Sequence, residues 1–333
     1  MQQKFKPIAI LGAGSWGTAL AIHLASHGRT VRLWEFDKHQ VKLMQRDHRN
    51  ERYLSGIAFP KSLAVFGELS ETLENVEEIL LVVPSHVFRQ TLISIKPFIS
   101  KMTRIAWATK GIDPSTFKLL SELVVEELGE RPMAVLSGPS FAKEVAEGLP
   151  TAVVVASNDE NFSKTLVGQF NCGAFRVYTS PDLIGVQLGG AIKNVIALAA
   201  GASDGLGYGA NARCGLITRG LSEMMRLGEA MGGKRETFTG LSGLGDLVLT
   251  CTDNQSRNRR FGLAMGEGKD RQEAEATIGQ VVEGAHTANQ VMHLAEKFQV
   301  EMPICECIWK ILNDQILPKD AVSALLARLP KAE

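Results

Sequence analysis

Two kinds of hydrophobic patterning alternate along the first half of the chain. Short runs in which nearly every position is apolar read as strands buried on both faces, and stretches with apolar residues three and four apart read as helices packed against them. Strands are predicted at 7–11, 30–34, 78–83, 104–108, 133–136, 152–156 and 175–178. Helices are predicted at 15–27, 38–47, 87–95 and 115–128, and the turn-rich stretch Leu54 to Ser70 is expected to be a loop. Repeated strand–helix units with short connections predict an α/β fold built on a doubly wound sheet. After Ser180-Pro181 the pattern changes to helical periodicity with almost no β-branched runs, predicting helices at 183–201, 213–231, 257–266, 284–298, 304–313 and 319–328. The chain is therefore expected to form an N-terminal sheet domain over 1–187 and an all-α domain over 188–333, with the boundary near 185–190.

One turn carries chemistry in its spacing. The run Ile8-Ala9-Ile10-Leu11 passes directly into Gly12-Ala13-Gly14-Ser15-Trp16-Gly17, the pattern G-x-G-x-x-G between a strand and a helix. Gly12 permits the tight turn, Gly14 lets the backbone approach a pyrophosphate, and Gly17 lets the helix pack closely on the sheet. The helix that follows aims its N-terminal amides and positive dipole end at the phosphates. In this context the turn predicts a Rossmann-type dinucleotide site rather than a purely structural bend.

Composition narrows the partners. With 333 residues the chain can bury two full cores, and its 36 Lys and Arg balance its 36 Asp and Glu. Such neutrality gives no general attraction for nucleic acid or an anionic membrane, so any anion preference must be local. The five cysteines (172, 214, 251, 305, 307) include no Cys-x-x-Cys pair and no evident Cys/His cluster. No metal site is expected, and reduced thiols fit a cytoplasmic compartment. Lys4 and Lys6 precede too short an apolar stretch for a signal peptide, and no uninterrupted apolar run approaches the ~20 residues of a membrane helix.

Other candidate residues sit at strand ends and in the helical half. Val83-Pro84-Ser85, Thr109-Lys110-Gly111 and Ser137-Gly138-Pro139-Ser140-Phe141 follow strands, where an open α/β sheet binds ligands. Taken singly, Lys110 also reads as a solvated loop lysine and Ser-Gly-Pro-Ser as a simple turn. Within Gly189 to Gly201, Lys193 and Asn194 are the only polar side chains of a helix otherwise fit for burial. A desolvated lysine has a lowered pKa suited to proton transfer, although a lysine snorkelling to water has the same sequence. Asp246 lies between glycine-rich backbone and an apolar run, where a carboxylate needs a cationic partner. Ser256-Arg257-Asn258 opens a predicted helix and could hold a phosphate through a hydroxyl, a guanidinium and free amides. A nucleic-acid patch at Arg257, Arg259 and Arg260 lacks aromatic interleaving and a wider basic surplus, leaving a solvated helix end as the other reading of Arg259 and Arg260.

Together these segments resemble one family, the bacterial NAD(P)-dependent sn-glycerol-3-phosphate dehydrogenases. The matching pieces are Gly-Ala-Gly-Ser-Trp-Gly-Thr-Ala (12–19), Thr-Lys-Gly (109–111), Ser-Gly-Pro-Ser-Phe-Ala (137–142), Lys193-Asn194, Gly-Leu-Gly-Asp-Leu (243–247), Ser-Arg-Asn-Arg (256–259) and Val-Val-Glu-Gly (281–284). The resemblance implies interconversion of dihydroxyacetone phosphate and sn-glycerol 3-phosphate, supply of the latter for phospholipid synthesis, and no metal. It places Ser15, Trp16, Lys110, Ala142, Arg257, Val281 and Glu283 on the cofactor. It places Lys110, Gly138, Ser140, Lys193, Asp246, Ser256, Arg257 and Asn258 on the substrate, with Lys193 transferring the proton.

Glu35 and Phe36 end the second strand, where an acidic residue bonds the ribose hydroxyls of NAD and repels the 2′-phosphate of NADP. NAD use at least as good as NADP is expected. Two other Rossmann enzymes with helical C-terminal domains, the 3-hydroxyacyl-CoA and 6-phosphogluconate dehydrogenases, are rivals. The former would need a catalytic histidine paired with a carboxylate, and none of the seven histidines occupies such a setting. A nucleotide-sensing protein without turnover would need the glycine turn but not Lys193, Asp246 and Arg257 together. Apolar faces in the helical half make a homodimer the expected assembly.

Overall fold

The computed structural model describes residues 6–327, so Lys4 and position 328 of the last predicted helix lie outside the described residues. The chain divides into two compact units, Met1–Thr109 with Lys118–Leu183, and Lys110–Phe117 with Ile184–Glu333.

The first unit opens with β1 (Ile8–Leu11), α1 (Ser15–Ser26), β2 (Val31–Trp34), α2 (Lys38–Asp47), β3 (Arg49–Asn50), β4 (Leu54–Ala58), β5 (Leu63–Phe66) and α3 (Leu69–Leu73). It continues through β6 (Glu78–Leu81), α4 (Ser85–Ile95), β7 (Arg104–Trp107), α5 (Leu120–Leu128), β8 (Met133–Ser137), α6 (Ala142–Ala146), β9 (Thr151–Ser157), α7 (Glu160–Phe170) and β10 (Phe175–Ser180). Eight of these strands form one sheet in the order β10-β9-β8-β7-β6-β1-β2-β5. From β5 to β8 every pairing is parallel, the order of a dinucleotide-binding sheet with its switch point between β1 and β6. Leu11 lies opposite both Trp34 and Leu81, so the turns leaving β1, β2 and β6 emerge level at one edge. Every residue of β1 and β6 is buried, as the apolar runs at 8–11 and 79–81 require, and Glu78 at the start of β6 is paired with Arg104.

The first unit departs from the sequence reading in several places. The stretch expected to be a loop holds β4 and β5; β5 is an edge strand whose Leu63 and Val65 are buried while Ala64 is exposed, too short an alternation to stand out. Strand β9 runs antiparallel to β8, so β9 and β10 oppose the rest of the sheet, and an apolar run does not encode its direction. Helix α7 went unrecognised, although buried Phe162, Leu166 and Phe170 recur at four-residue spacing. The helix predicted from 115 begins only at Leu120, because Phe117 takes a left-handed φ of 58°.

The second unit is helical: α8 (Leu183–Gly205), α9 (Ala210–Ala230), α10 (Arg235–Phe238), a π-helical turn (Leu241–Gly245), α11 (Asp246–Thr252), α12 (Arg257–Gly266), α13 (Arg271–Ile278), α14 (Glu283–Lys297), α15 (Pro303–Leu312) and α16 (Pro318–Leu326). By length and composition α8 passes as a membrane span despite Lys193 and Asn194, yet 89% of its apolar window is buried within the protein. It is a core helix. The backbones of α8 and α12 touch: a Cβ on Gly201 would stand 2.0 Å from the Arg259 carbonyl oxygen, and one on Gly262 would stand 2.1 Å from that of Leu198. Only glycine allows that approach.

Candidate active site

The glycine turn of the first unit has the shape its spacing demands. Gly12 takes φ 110°, and a Cβ on Gly17 would meet the Gly12 carbonyl oxygen at 1.9 Å. At Gly14, by contrast, a Cβ would find no atom within 4 Å. Gly14 caps α1 without any side-chain bond, which leaves the helix N-terminus without a competing side-chain acceptor. The turn is held from behind by buried Asn50, whose Nδ2 donates to the Ala13 carbonyl at 2.7 Å and to Thr18 Oγ1 at 2.9 Å. Sequence reasoning missed Asn50, because a single asparagine in an expected loop carries no pattern. Ser15 and Trp16 open α1, and Trp16 Nε1 is a buried donor without a protein partner. The open side at Gly14, the uncapped helix end and this orphaned donor fit a dinucleotide.

Beyond β2, Glu35 is buried, Phe36 is 75% exposed, and Asp37 caps α2. Burial pushes the Glu35 carboxyl up, against the backbone N–H of Asp37 that it accepts at 3.0 Å. Arg52, unnoticed in the sequence, stands 3.7 Å from Asp37. After β6, the Val83 carbonyl accepts the Thr109 hydroxyl at 2.7 Å, which ties two strand ends together. After β8, Gly138 takes φ 140°, the Ser140 hydroxyl donates back to the Gly138 carbonyl at 3.0 Å, and Ala142 begins α6.

The second unit gathers Lys110, Lys193 and Asp246 around one carboxylate. Lys193 Nζ donates to Asp246 Oδ1 at 3.0 Å, and Lys110 Nζ donates to Asp246 Oδ2 at 2.6 Å. A third partner, Thr250, was not foreseen. Its hydroxyl accepts from Lys193 at 2.6 Å and donates to the Asp246 backbone carbonyl at 2.6 Å. Thr250 sits one turn after Asp246 on α11, so the spacing that could have revealed it is i to i+4. The π-helical turn at 241–245 delivers Asp246 to the first position of α11, the kind of local irregularity that recurs at functional sites. Burial lowers Lys193 to about 8, with the Lys110 charge adding to it and the Asp246 carboxylate opposing it. For Asp246, burial alone would raise the carboxyl, but the two ammonium groups outweigh it and hold it below its ordinary value. An ammonium has three donors, and two of those on Lys193 are committed within this cluster.

Asn194, the neighbour of Lys193, joins this cluster to the start of α12. Asn258 Nδ2 donates to Asn194 Oδ1 at 2.9 Å, while Asn258 Oδ1 accepts the Gly284 N–H at 2.9 Å. Ser256 caps α12 by accepting the Arg259 N–H at 3.2 Å, and Arg257 donates to Gln280 Oε1 at 3.2 Å. Val281 and Glu283 flank the start of α14, whose Gly284 bonds Asn258. Arg259 is neither a nucleic-acid contact nor a solvated helix end. It is buried, donates to the Cys251 carbonyl and pairs with Asp204 at 2.5 Å.

The expectation of no Cys/His cluster is corrected by the fold. His23, His27 and Cys172 of the first unit lie with their ligand atoms within 4.8 Å of one another. Their separation in sequence concealed the grouping.

Comparisons with known proteins place the chain in a family. Residues 7–163 match the NAD-dependent glycerol-3-phosphate dehydrogenase N-terminus and residues 182–323 its C-terminus. The chain is 56% identical over 328 residues to the glycerol-3-phosphate dehydrogenase [NAD(P)+] of Aeromonas hydrophila, covering 98% of each chain. It is 55% identical over 327 residues to that of Coxiella burnetii, again over 98% of each. A crystal structure of glycerol-3-phosphate dehydrogenase from Coxiella burnetii superposes with a TM-score of 0.95 at 54% identity, covering 97% of this chain and 99% of that one. With its Rossmann sheet, its helical second half and full-length similarity to these oxidoreductases, the chain belongs to the NAD-dependent glycerol-3-phosphate dehydrogenase family.

Proposed function

We propose that this chain interconverts dihydroxyacetone phosphate and sn-glycerol 3-phosphate, with Lys193 transferring the proton. The buried Lys193–Asp246–Lys110 cluster carries this reading. When bound, the nicotinamide supplies the hydride to the carbonyl carbon and takes it back in the reverse direction. Gly12, Gly14, Ser15, Trp16 and Gly17 would hold the dinucleotide, with Ala142, Lys110, Arg257, Val281 and Glu283 as further contacts.

In reduction, the remaining donor of the Lys193 ammonium meets the substrate oxygen and gives it a proton as alkoxide charge develops. In oxidation, neutral Lys193 takes the hydroxyl proton. Thr250 and Asp246 aim the ammonium, and Asp246 balances the charge of both lysines in a dry setting. Lys110 stabilises negative charge on the same oxygen. Ser256, Arg257 and the first-turn amides of α12 hold the phosphate, with Gly138 and Ser140 as further substrate contacts. Asn258 is braced here by Asn194 and the Gly284 N–H, and the second N–H of its Nδ2 is left to donate to the substrate.

We further propose that NADH is used at least as well as NADPH. Glu35 at the end of β2 favours ribose hydroxyls. Exposed Phe36 offers a face for adenine, and Arg52 beside Asp37 keeps a 2′-phosphate tolerable. The test follows NADH oxidation with dihydroxyacetone phosphate. Absence of turnover by the wild type sinks the activity, and a kcat/KM for NADPH more than about tenfold above that for NADH sinks the role of Glu35.

A further inference from the structure

His23 and His27 lie one helical turn apart on α1, so their rings share a face, with centroids 4.9 Å apart and planes tilted by 51°. Cys172 follows the end of α7 and comes to the same place from 149 residues away, its Sγ 3.4 Å from His23 Nε2. We propose that His23, His27 and Cys172 form a binding site for one borderline transition-metal cation of the Zn2+ class, with water completing the coordination.

Three observations build the site. The N–S separation is the first: Zn–N near 2.0–2.1 Å and Zn–S near 2.3 Å at a tetrahedral angle place the two ligand atoms roughly 3.5 Å apart, close to the 3.4 Å between His23 Nε2 and Cys172 Sγ. The tautomer of His27 is the second. Its Nδ1 lies 2.8 Å from the His23 carbonyl oxygen, which only accepts, so the proton sits on Nδ1 and Nε2 keeps its lone pair. A ligating histidine whose other nitrogen donates to a backbone carbonyl is the arrangement that orients metal-site imidazoles. The third is access. His27 is exposed, and Gly173, at φ 57°, leaves open the space beside its Nε2, where a Cβ would stand at 2.7 Å.

Binding has a definite proton balance. Without metal, His23 Nε2–H donates to the Phe170 carbonyl at 2.9 Å. On binding, that hydrogen bond breaks and the Phe170 carbonyl gives way to the cation. His23 moves its proton to Nδ1 and stays neutral, while the Cys172 thiol loses its proton to solvent and coordinates as thiolate. Because coordination releases the thiol proton, affinity climbs with pH. The bound cation would clip the end of α1, the helix that begins at the glycine turn, to the chain entering β10.

The experiment titrates the reduced, chelator-treated full chain with Co2+ and then Zn2+, reading the thiolate-to-cobalt charge-transfer absorption. One Co2+ per chain with that absorption, displaced by Zn2+, is expected. Cys172→Ser abolishes the absorption, and His27→Ala weakens Zn2+ binding by roughly tenfold or more. Both side chains reach solvent, so the variants are expected to fold, and the wild-type titration decides even where one does not. A folded wild type without the charge-transfer absorption overturns the site, as does a Cys172→Ser chain that keeps it.

Discussion

At the scale of single residues, the chemistry rests on a lysine made unusual by its surroundings. Lys193 is lowered to about 8 by burial, so at neutral pH it is mostly the ammonium that ketone reduction needs. The expected kcat for dihydroxyacetone phosphate reduction is flat below pH 8 and falls above it, whereas glycerol 3-phosphate oxidation rises through the same point. A pH profile in which both directions move together would refute the assignment. Lys193→Ala should cost ~10²–10⁴ in kcat, the usual worth of a positioned acid–base group. Glu35→Gln should shift the kcat/KM ratio toward NADPH, since the carboxylate charge opposing a 2′-phosphate is gone while the residue's size is kept. At this scale the candidate site was legible in part. Lys193 stood out because little else on its helix is polar, and Asp246 because an isolated carboxylate beside an apolar run needs a cation. Thr250, Asn50 and Arg52 did not stand out, because each acts through a contact that only the fold creates.

At the scale of elements, strands buried on both faces and long amphipathic helices were readable, since burial alone dictates their patterns. Edge strand β5, the reversed direction of the β9–β10 pair and short α10 and α11 were not, because these depend on neighbours rather than on periodicity. The turn from β1 into α1 shows how one element uses glycines for different ends. A Cβ at Gly17 would drive into the Gly12 carbonyl at 1.9 Å, whereas Gly14 faces open space at φ −68°, a conformation any residue adopts. Gly17→Ala is therefore expected to destabilise the fold by about 1–3 kcal/mol. Gly14→Ala should cost under ~1 kcal/mol of stability yet raise the KM for NADH, because the added methyl occupies the side where a pyrophosphate would approach. Thermal unfolding and NADH titration of both variants separate the two roles. Equal stability losses would show that Gly14 is needed for the turn itself.

At the scale of the whole molecule, a formal net charge of zero leaves little global self-repulsion to drive a pH response. The pH dependence of stability then falls to a few buried groups, which act in different ranges. Asp246, held low by its two lysines, contributes stability that is lost as pH falls through its folded pKa. Glu223 acts in the opposite sense. Its carboxylate, buried on α9, accepts the Ile304 N–H at 2.7 Å and the Cys305 N–H at 3.2 Å, capping α15 from outside. Burial nevertheless raises its carboxyl to about 7, with those two N–H groups and Arg226 only partly offsetting the cost. A folded pKa above the unfolded 4.5 means that the folded chain holds the proton more tightly. The resulting stabilisation is complete below pH 4.5 and gone above about 7. A shift of this size corresponds to about 3 kcal/mol at 1.36 kcal/mol per unit. Glu223→Gln mimics the protonated side chain and removes the titration, keeping one acceptor for the helix end. Urea unfolding at pH 5 and pH 8 should thus show the variant gaining about 3 kcal/mol relative to wild type at the higher pH. A difference that stays constant across that range would mean that Glu223 keeps the same charge in both folded and unfolded chains, and that the cap alone sets its contribution.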